Sequence, residues 1–222
     1  MLPGLEKVNP DLTLMAPHLI VLGVALLLLV LDVAIPRWRG APMAYLTIVG
    51  YGAALVASLA LIDTNESTFN GMFRADDFSI FVNIIVLVAG ILSILISINY
   101  MTSRAEPGSM PVPEYYALIT FSILGTMIVG ASGDLITVFL GIEMSSLAVY
   151  TLTGFARHRT TSLEGALKYF LLGLFASAIL VYGMAWTYGA TGTTNLSEIA
   201  TELSSFDTAG ASRRRCYWRS CC

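Results

Sequence analysis

Two ionisable side chains sit inside apolar runs of this chain, and any chemistry is to be sought there first. Glu143 is the ninth residue of LITVFLGIEMSSLAVYTLT, and Lys168 lies within SLEGALKYFLLGLFASAILVYGMAW. Both runs are long enough to cross a bilayer. A charge at the centre of a membrane helix costs about 2.5–3.5 kcal/mol on insertion scales, so groups kept there face a protein interior or a water path. Proton or ion movement is the chemistry they suggest. On a helix, Glu143 shares its face with Ser146, Tyr150 and Thr153, a polar stripe able to hydrogen-bond a carboxyl group or water. The bland alternative is a buried carboxylate that only ties helices together.

Lys168 lies one to two turns from the start of its run and can snorkel to the interface. Glu164, four residues earlier, is placed for an i,i+4 ion pair. The neighbours Leu171, Leu172 and Phe175 continue no relay along that helix. If Glu143 and Lys168 approach each other, they titrate as a coupled pair, and a change in hydration or separation moves a proton.

Other polar residues carry weaker signals. His18 reads as a packed or interfacial histidine. Asp32 reads as an interfacial partner of Arg37 and Arg39. Gly173 and Ser177 read as a small-xxx-small packing contact. Neither a GxGxxG run nor a phosphate-binding loop is present, and no haem or iron–sulfur ligand spacing is found. The three cysteines, Cys216, Cys221 and Cys222, lie beside Arg213, Arg214, Arg215 and Arg219 in ASRRRCYWRSCC. That spacing does not suit zinc. The segment reads as compositionally foreign, an unstructured tail from about residue 209.

The elements that must position these groups are transmembrane helices. Of the 222 residues 56% are hydrophobic and only 12% charged, against about 25% charged in soluble domains. The net charge of −3 gives no reason to expect a nucleic-acid partner. The reading is an all-α, multi-pass helix bundle of six spans, at about 14–35, 43–62, 78–101, 114–131, 134–155 and 163–189. Pro17 suits a first helical turn, and Pro36 ends the first span. Asp76 or Asp77 caps the third span and Asp134 the fifth. The acidic stretch 63–77 reads as a loop, and 190–210 as polar and partly helical. No cleavable leader is evident, and the first span is expected to remain as an anchor.

Loop charge sets the orientation. Arg37, Arg39, Arg104, Arg157 and Arg159 lie in the first, third and fifth connections, whereas the other side holds only Lys7 and Arg74. Basic connections stay cytoplasmic, which puts the N-terminus outside.

The stretch 114–183, with GIE followed by SSL, a short basic loop, SLEGALKYFLL and ASAILVYG, resembles subunit N of the bacterial proton-pumping NADH:quinone oxidoreductase, complex I. The resemblance covers residues 1 to about 208. It is closer to subunit N than to the paralogues L and M or the related Mrp cation/proton antiporters, the alternative reading. It implies an antiporter-like subunit of the membrane arm in the bacterial cytoplasmic membrane, contributing to proton translocation. Glu143 then matches the family's glutamate on the fifth helix, and Lys168 its lysine on the sixth. NADH, FMN, iron–sulfur clusters and quinone are implied for other subunits, with none bound by this chain. The implied partners are those membrane-arm subunits and the lipid bilayer. The family has about fourteen helices in two inverted repeats, an arrangement known among transporters. Only six are expected here, so the half-channel is expected to be incomplete and autonomous pumping is not expected.

Overall fold

The computed structural model describes residues 12–34, 41–62, 64, 66–69, 71–104, 112–156 and 158–204; side chains at 41 and 99–104 are not described. The expected features at Lys7, Arg37, Arg39, Arg157 and the 209–222 tail lie outside the described residues. So does the proposed pairing of Asp32 with Arg37 or Arg39.

Six long helices account for most of the described chain. They are α1 (Ala16–Ala34), α2 (Ala41–Ala60), α3 (Asp77–Arg104), α4 (Val112–Gly130), α5 (Leu135–Thr153) and α6 (Thr160–Thr191). All six contain a window long and apolar enough to cross a membrane. Their ends follow local chemistry. Pro17, Pro42 and Pro113 sit in first turns, where the missing N–H has no helical acceptor to satisfy. Asp76 caps α3: its Oδ1 accepts from the Ser79 amide at 2.8 Å, and Ser79 Oγ accepts from the Asp76 amide at 3.1 Å. Gly192 ends α6 with a left-handed φ of 75°, which a residue without Cβ adopts at little cost.

The stretch expected to be a loop before α3 contains a hairpin instead. Strand β1 (Glu66–Thr68) pairs antiparallel with β2 (Phe73–Ala75), with Glu66 opposite Ala75 and Thr68 opposite Phe73. Phe69, at φ 54°, and Gly71, at φ 81°, make the turn. A further short helix, α7 (196–204), follows α6.

Helices α1–α4 pack around one core that includes Val21, Leu28, Met43, Tyr51, Leu87 and Met127. Tyr51 Oη donates to Thr120 Oγ1 at 3.0 Å, and Thr120 in turn donates to the Tyr116 carbonyl at 2.7 Å. His18 is buried edge-on against Phe73, with ring centroids 4.9 Å apart, which makes it a packed histidine. Helix α5 lies against α4 through facing glycines. A Cβ on Gly125 would stand 2.6 Å from the Ser145 amide nitrogen and 2.7 Å from the Gly141 carbonyl oxygen. Ser145 Oγ also lies 3.1 Å from Ser122 Oγ and 3.4 Å from Thr126 Oγ1. Helix α6 packs on α5, and none of its 32 residues is buried.

One end of the bundle is fastened by a clasp of backbone hydrogen bonds. The Arg74 amide donates to the Ala131 carbonyl at 2.7 Å, and the Gly133 amide to the Met72 carbonyl at 2.8 Å. The Leu135 amide donates to Thr194 at 2.9 Å, and the Leu196 amide to Gly133 at 3.0 Å. Asp134 sits at the centre, 2% exposed. Its Oδ1 accepts from the Ile136 amide at 2.8 Å as the α5 cap, and its Oδ2 accepts from Thr194 Oγ1. The clasp thus joins the hairpin, the α4–α5 turn and the α6–α7 connection.

Candidate functional site

Glu143 stands halfway along α5, eight residues past Leu135 and therefore about 12 Å from the start of that helix. Two features fix α5 in place: the Asp134 side-chain cap at its start and the Gly125–Gly141 backbone contact with α4 two residues before the glutamate. The carboxylate is half-buried and turned toward α6, where Ser177 Oγ donates a hydrogen bond to Glu143 Oε1.

The polar stripe expected around Glu143 is only partly shared with it. Tyr150, seven residues on, also faces α6. A Cβ at Gly173 would overlap its hydroxyl, and its ring packs edge-on against Tyr169 and Phe170 with centroids 4.9 and 5.8 Å apart. Thr153 is exposed and bonds back to the Val149 carbonyl at 2.9 Å. On the α6 side the seam runs through Ala166, Tyr169, Phe170, Gly173 and Ser177, the i, i+3, i+4, i+7 stripe of one helix face.

Lys168 is not on that seam. It precedes Ser177 by nine residues, which at 100° per residue is half a turn out of phase. Its Nζ lies 3.7 Å from Glu164 Oε2, and the two side chains are 77% and 70% exposed. The structure brings Glu143 to Ser177, and Lys168 to Glu164. It does not bring Glu143 and Lys168 together.

Sequence reasoning missed Ser177 as a partner of the glutamate. The small-xxx-small contact with Gly173 is present, but the serine also supplies a proton donor. The available signal was the i,i+4 spacing of Gly173 and Ser177, which brings a hydroxyl onto the face that can approach another helix most closely. Among the described residues, no group of three or more His, Cys, Asp or Glu side chains is arranged to hold a metal ion.

Residues 132–215 match the family described as NADH:quinone oxidoreductase/Mrp antiporter, transmembrane. The chain is 44% identical over 197 residues to NADH-quinone oxidoreductase subunit N of Chloroflexus aggregans, a match covering 88% of this chain and 39% of that protein. It is 40% identical over 195 residues to subunit N of Trichlorobacter lovleyi, with the same coverage of each. The chain therefore spans about two fifths of the length of these curated relatives. Among solved structures, it superposes on a chain of respiratory complex I from Thermus thermophilus with bound aureothin. That match has a TM-score of 0.68 and 25% identity, covering 81% of this chain and 38% of that one. A chain of the membrane-bound sulfane sulfur reductase, an archaeal respiratory membrane complex, shares the fold with a TM-score of 0.70 at 19% identity, covering 85% of this chain and 39% of that one. Six membrane-length helices and these matches lead to one conclusion: over the stretch it shares with them, this chain is similar in sequence and fold to NADH-quinone oxidoreductase subunit N.

Proposed function

We propose that this chain forms part of a membrane-arm subunit of NADH:quinone oxidoreductase and contributes to proton translocation coupled to electron transfer. Its six spans correspond to the first six of the family's roughly fourteen helices. Its partners are the other membrane-arm subunits and the bilayer. NADH oxidation, FMN, the iron–sulfur clusters and quinone reduction belong to other subunits. The subunit N relatives favour this reading over an Mrp-type antiporter.

The observation that carries it is Glu143, half-buried on an interhelical seam midway along a membrane-length helix. A carboxyl group there can accept a proton from one side of the membrane and pass it on toward the other, the chemistry that proton translocation needs. Lys168 has a different place. Exposed and paired with Glu164, it acts where protons enter or leave the cytoplasmic side rather than beside the carboxylate.

Glu143→Gln in the subunit of an assembled complex tests the reading, since it keeps size and hydrogen bonding but removes the exchangeable acid proton. Proton uptake per NADH oxidised in membrane vesicles is expected to fall severely while assembly on native gels survives. Glu143→Asp is expected to retain part of the activity. Normal pumping by an assembled Glu143→Gln complex would mean that the glutamate serves packing alone.

The orientation follows from loop charge: the α5–α6 connection with Arg157 and Arg159 is cytoplasmic, and the clasp end is outside.

A further inference from the structure

Resting on the reading of Glu143 as the proton carrier, we infer that Ser177 is a positioning residue: its hydroxyl reserves Oε1 of the carboxylate, so that the carried proton is loaded and released on Oε2.

The inference begins with how other hydroxyls on the helices of this chain behave. Ser58, Ser93, Thr120, Thr126, Thr151, Thr153 and Thr187 each donate back to the carbonyl four residues earlier on the same helix. That is the default for a hydroxyl in a helix with no better acceptor. Ser177 departs from it and directs its single proton across to α5, onto Glu143 Oε1. A bond to an ionised acceptor is roughly twice as strong as one to a neutral acceptor, which accounts for the choice.

The backbone makes this reach possible. Gly173, one turn from Ser177, has no side chain where Tyr150 Oη sits. A Cβ at that position would lie 1.8 Å from the phenol oxygen, so the close approach of α5 and α6 beside Ser177 depends on its absence. Among the described residues, Ser177 is the hydrogen-bond partner of Glu143, and no ion pair reaches the carboxylate. The titratable groups on the packed elements lie elsewhere. On α4 they are Glu114, Tyr115 and Tyr116 in the first turns. On α6 they are Glu164, Lys168 and Tyr169 on one side of Ser177, and Tyr182 and Tyr188 on the other. On α5 itself Tyr150 is occupied by the Gly173 contact.

A serine hydroxyl that donates to Oε1 leaves Oε2 for exchange. When a hydronium or water on the pathway delivers a proton, the new O–H bond forms at Oε2, the carboxylate becomes a neutral acid, and the Ser177 O–H bond stays intact. On release the Oε2–H bond breaks, the proton passes to water, and the carboxylate charge is restored. Ser177 neither gains nor loses a proton. It fixes which oxygen reacts and holds the carboxyl in one rotamer.

The test compares Ser177→Ala, Ser177→Thr and Glu143→Gln in assembled oxidoreductase, with two readouts: proton uptake per NADH oxidised, and the redox-induced infrared C=O band of Glu143, identified by its loss in Glu143→Gln. Ser177→Ala is expected to lower proton uptake per NADH oxidised about tenfold, the effect of losing a hydrogen bond to a charged group. It is also expected to move the C=O band to higher frequency, since Oε1 loses its donor. Ser177→Thr keeps the hydroxyl and is expected to restore both. If Glu143→Gln stops pumping while Ser177→Ala keeps wild-type pumping and band position, the Ser177 inference is overturned and the Glu143 reading stands. If Glu143→Gln pumps normally, the Glu143 reading itself fails. Should Ser177→Ala not assemble, Ser177→Thr against Ser177→Cys decides. The weaker S–H donor is expected to shift both readouts part-way, and identical behaviour of the two would overturn the inference.

Discussion

The contact between α4 and α5 gives the most direct structural prediction, because it rests on backbone atoms that cannot rotate away. Gly125→Ala adds a Cβ 2.6 Å from the Ser145 amide nitrogen and 2.7 Å from the Gly141 carbonyl oxygen. Ordinary van der Waals contact begins at 3.4 Å, so the two helices must separate locally by about 0.8 Å, the difference between 3.4 and 2.6 Å. Overpacking of this kind costs about 1–3 kcal/mol. Replacing a helical glycine by alanine returns roughly 0.5–1 kcal/mol of backbone entropy. The expected net loss is therefore about 0–2.5 kcal/mol relative to the unchanged chain, with weakening of the Ser122–Ser145 and Thr126–Ser145 contacts beside it. In lipid no hydrophobic force draws helices together, so lost close packing has little to replace it. Gly23 and Gly183 are internal controls, since a Cβ at either meets nothing within 4 Å. Their alanine variants are expected to be neutral or slightly stabilising. Detergent-titrated unfolding followed by circular dichroism measures all three. A Gly125→Ala variant as stable as Gly23→Ala would refute the backbone contact.

Three further outcomes follow from the geometry. Asp134→Ala removes both the α5 cap and the acceptor for Thr194 and is expected to cost about 1–2 kcal/mol, visible as faster amide exchange at Leu135 and Leu196. Unchanged exchange at both amides would show that the clasp holds without the carboxylate. Lys168→Met is expected to impair pumping less than Glu143→Gln in assembled complex, because the lysine is exposed and off the Glu143 seam; equal losses would put it on the proton path beside the glutamate. Single cysteines replacing Glu66 and His158, in a background with Cys216, Cys221 and Cys222 changed to serine, are expected to react with an impermeant thiol reagent from outside at 66 and not at 158. The reverse pattern would invert the orientation.

The spans were readable in advance because twenty apolar residues in a row admit few alternatives. Asp134 was readable as a cap for a similar reason: a short acid between a tight turn and an apolar run has an amide to satisfy. The hairpin was not. Its strands are three residues each, too short for alternation to register, and only the Asn70–Gly71 pair hints at a turn. Glu143 was legible as the polar residue to explain, yet its partner was not. Spacing gives the face of one helix but not the rotation of its neighbour, and that rotation selects Ser177 over Lys168 on α6. Once Ser177 is known to face Glu143, the nine-residue offset already turns Lys168 away.

The length of α6 also locates the bilayer. Thirty-two residues span about 48 Å, whereas the hydrocarbon core is about 30 Å thick, so part of this helix must stand outside it. Trp186 and Tyr188, both exposed near the clasp end, are the residue types that settle at the headgroup boundary. Counting about 30 Å back along the helix from Trp186 crosses some twenty residues and ends near Ala166. Glu164 and Lys168 then sit at the opposite headgroup layer, where an exposed ion pair is at home. Ser177, nine residues from both Trp186 and Lys168, falls at the midplane and carries the bonded carboxylate of Glu143 with it.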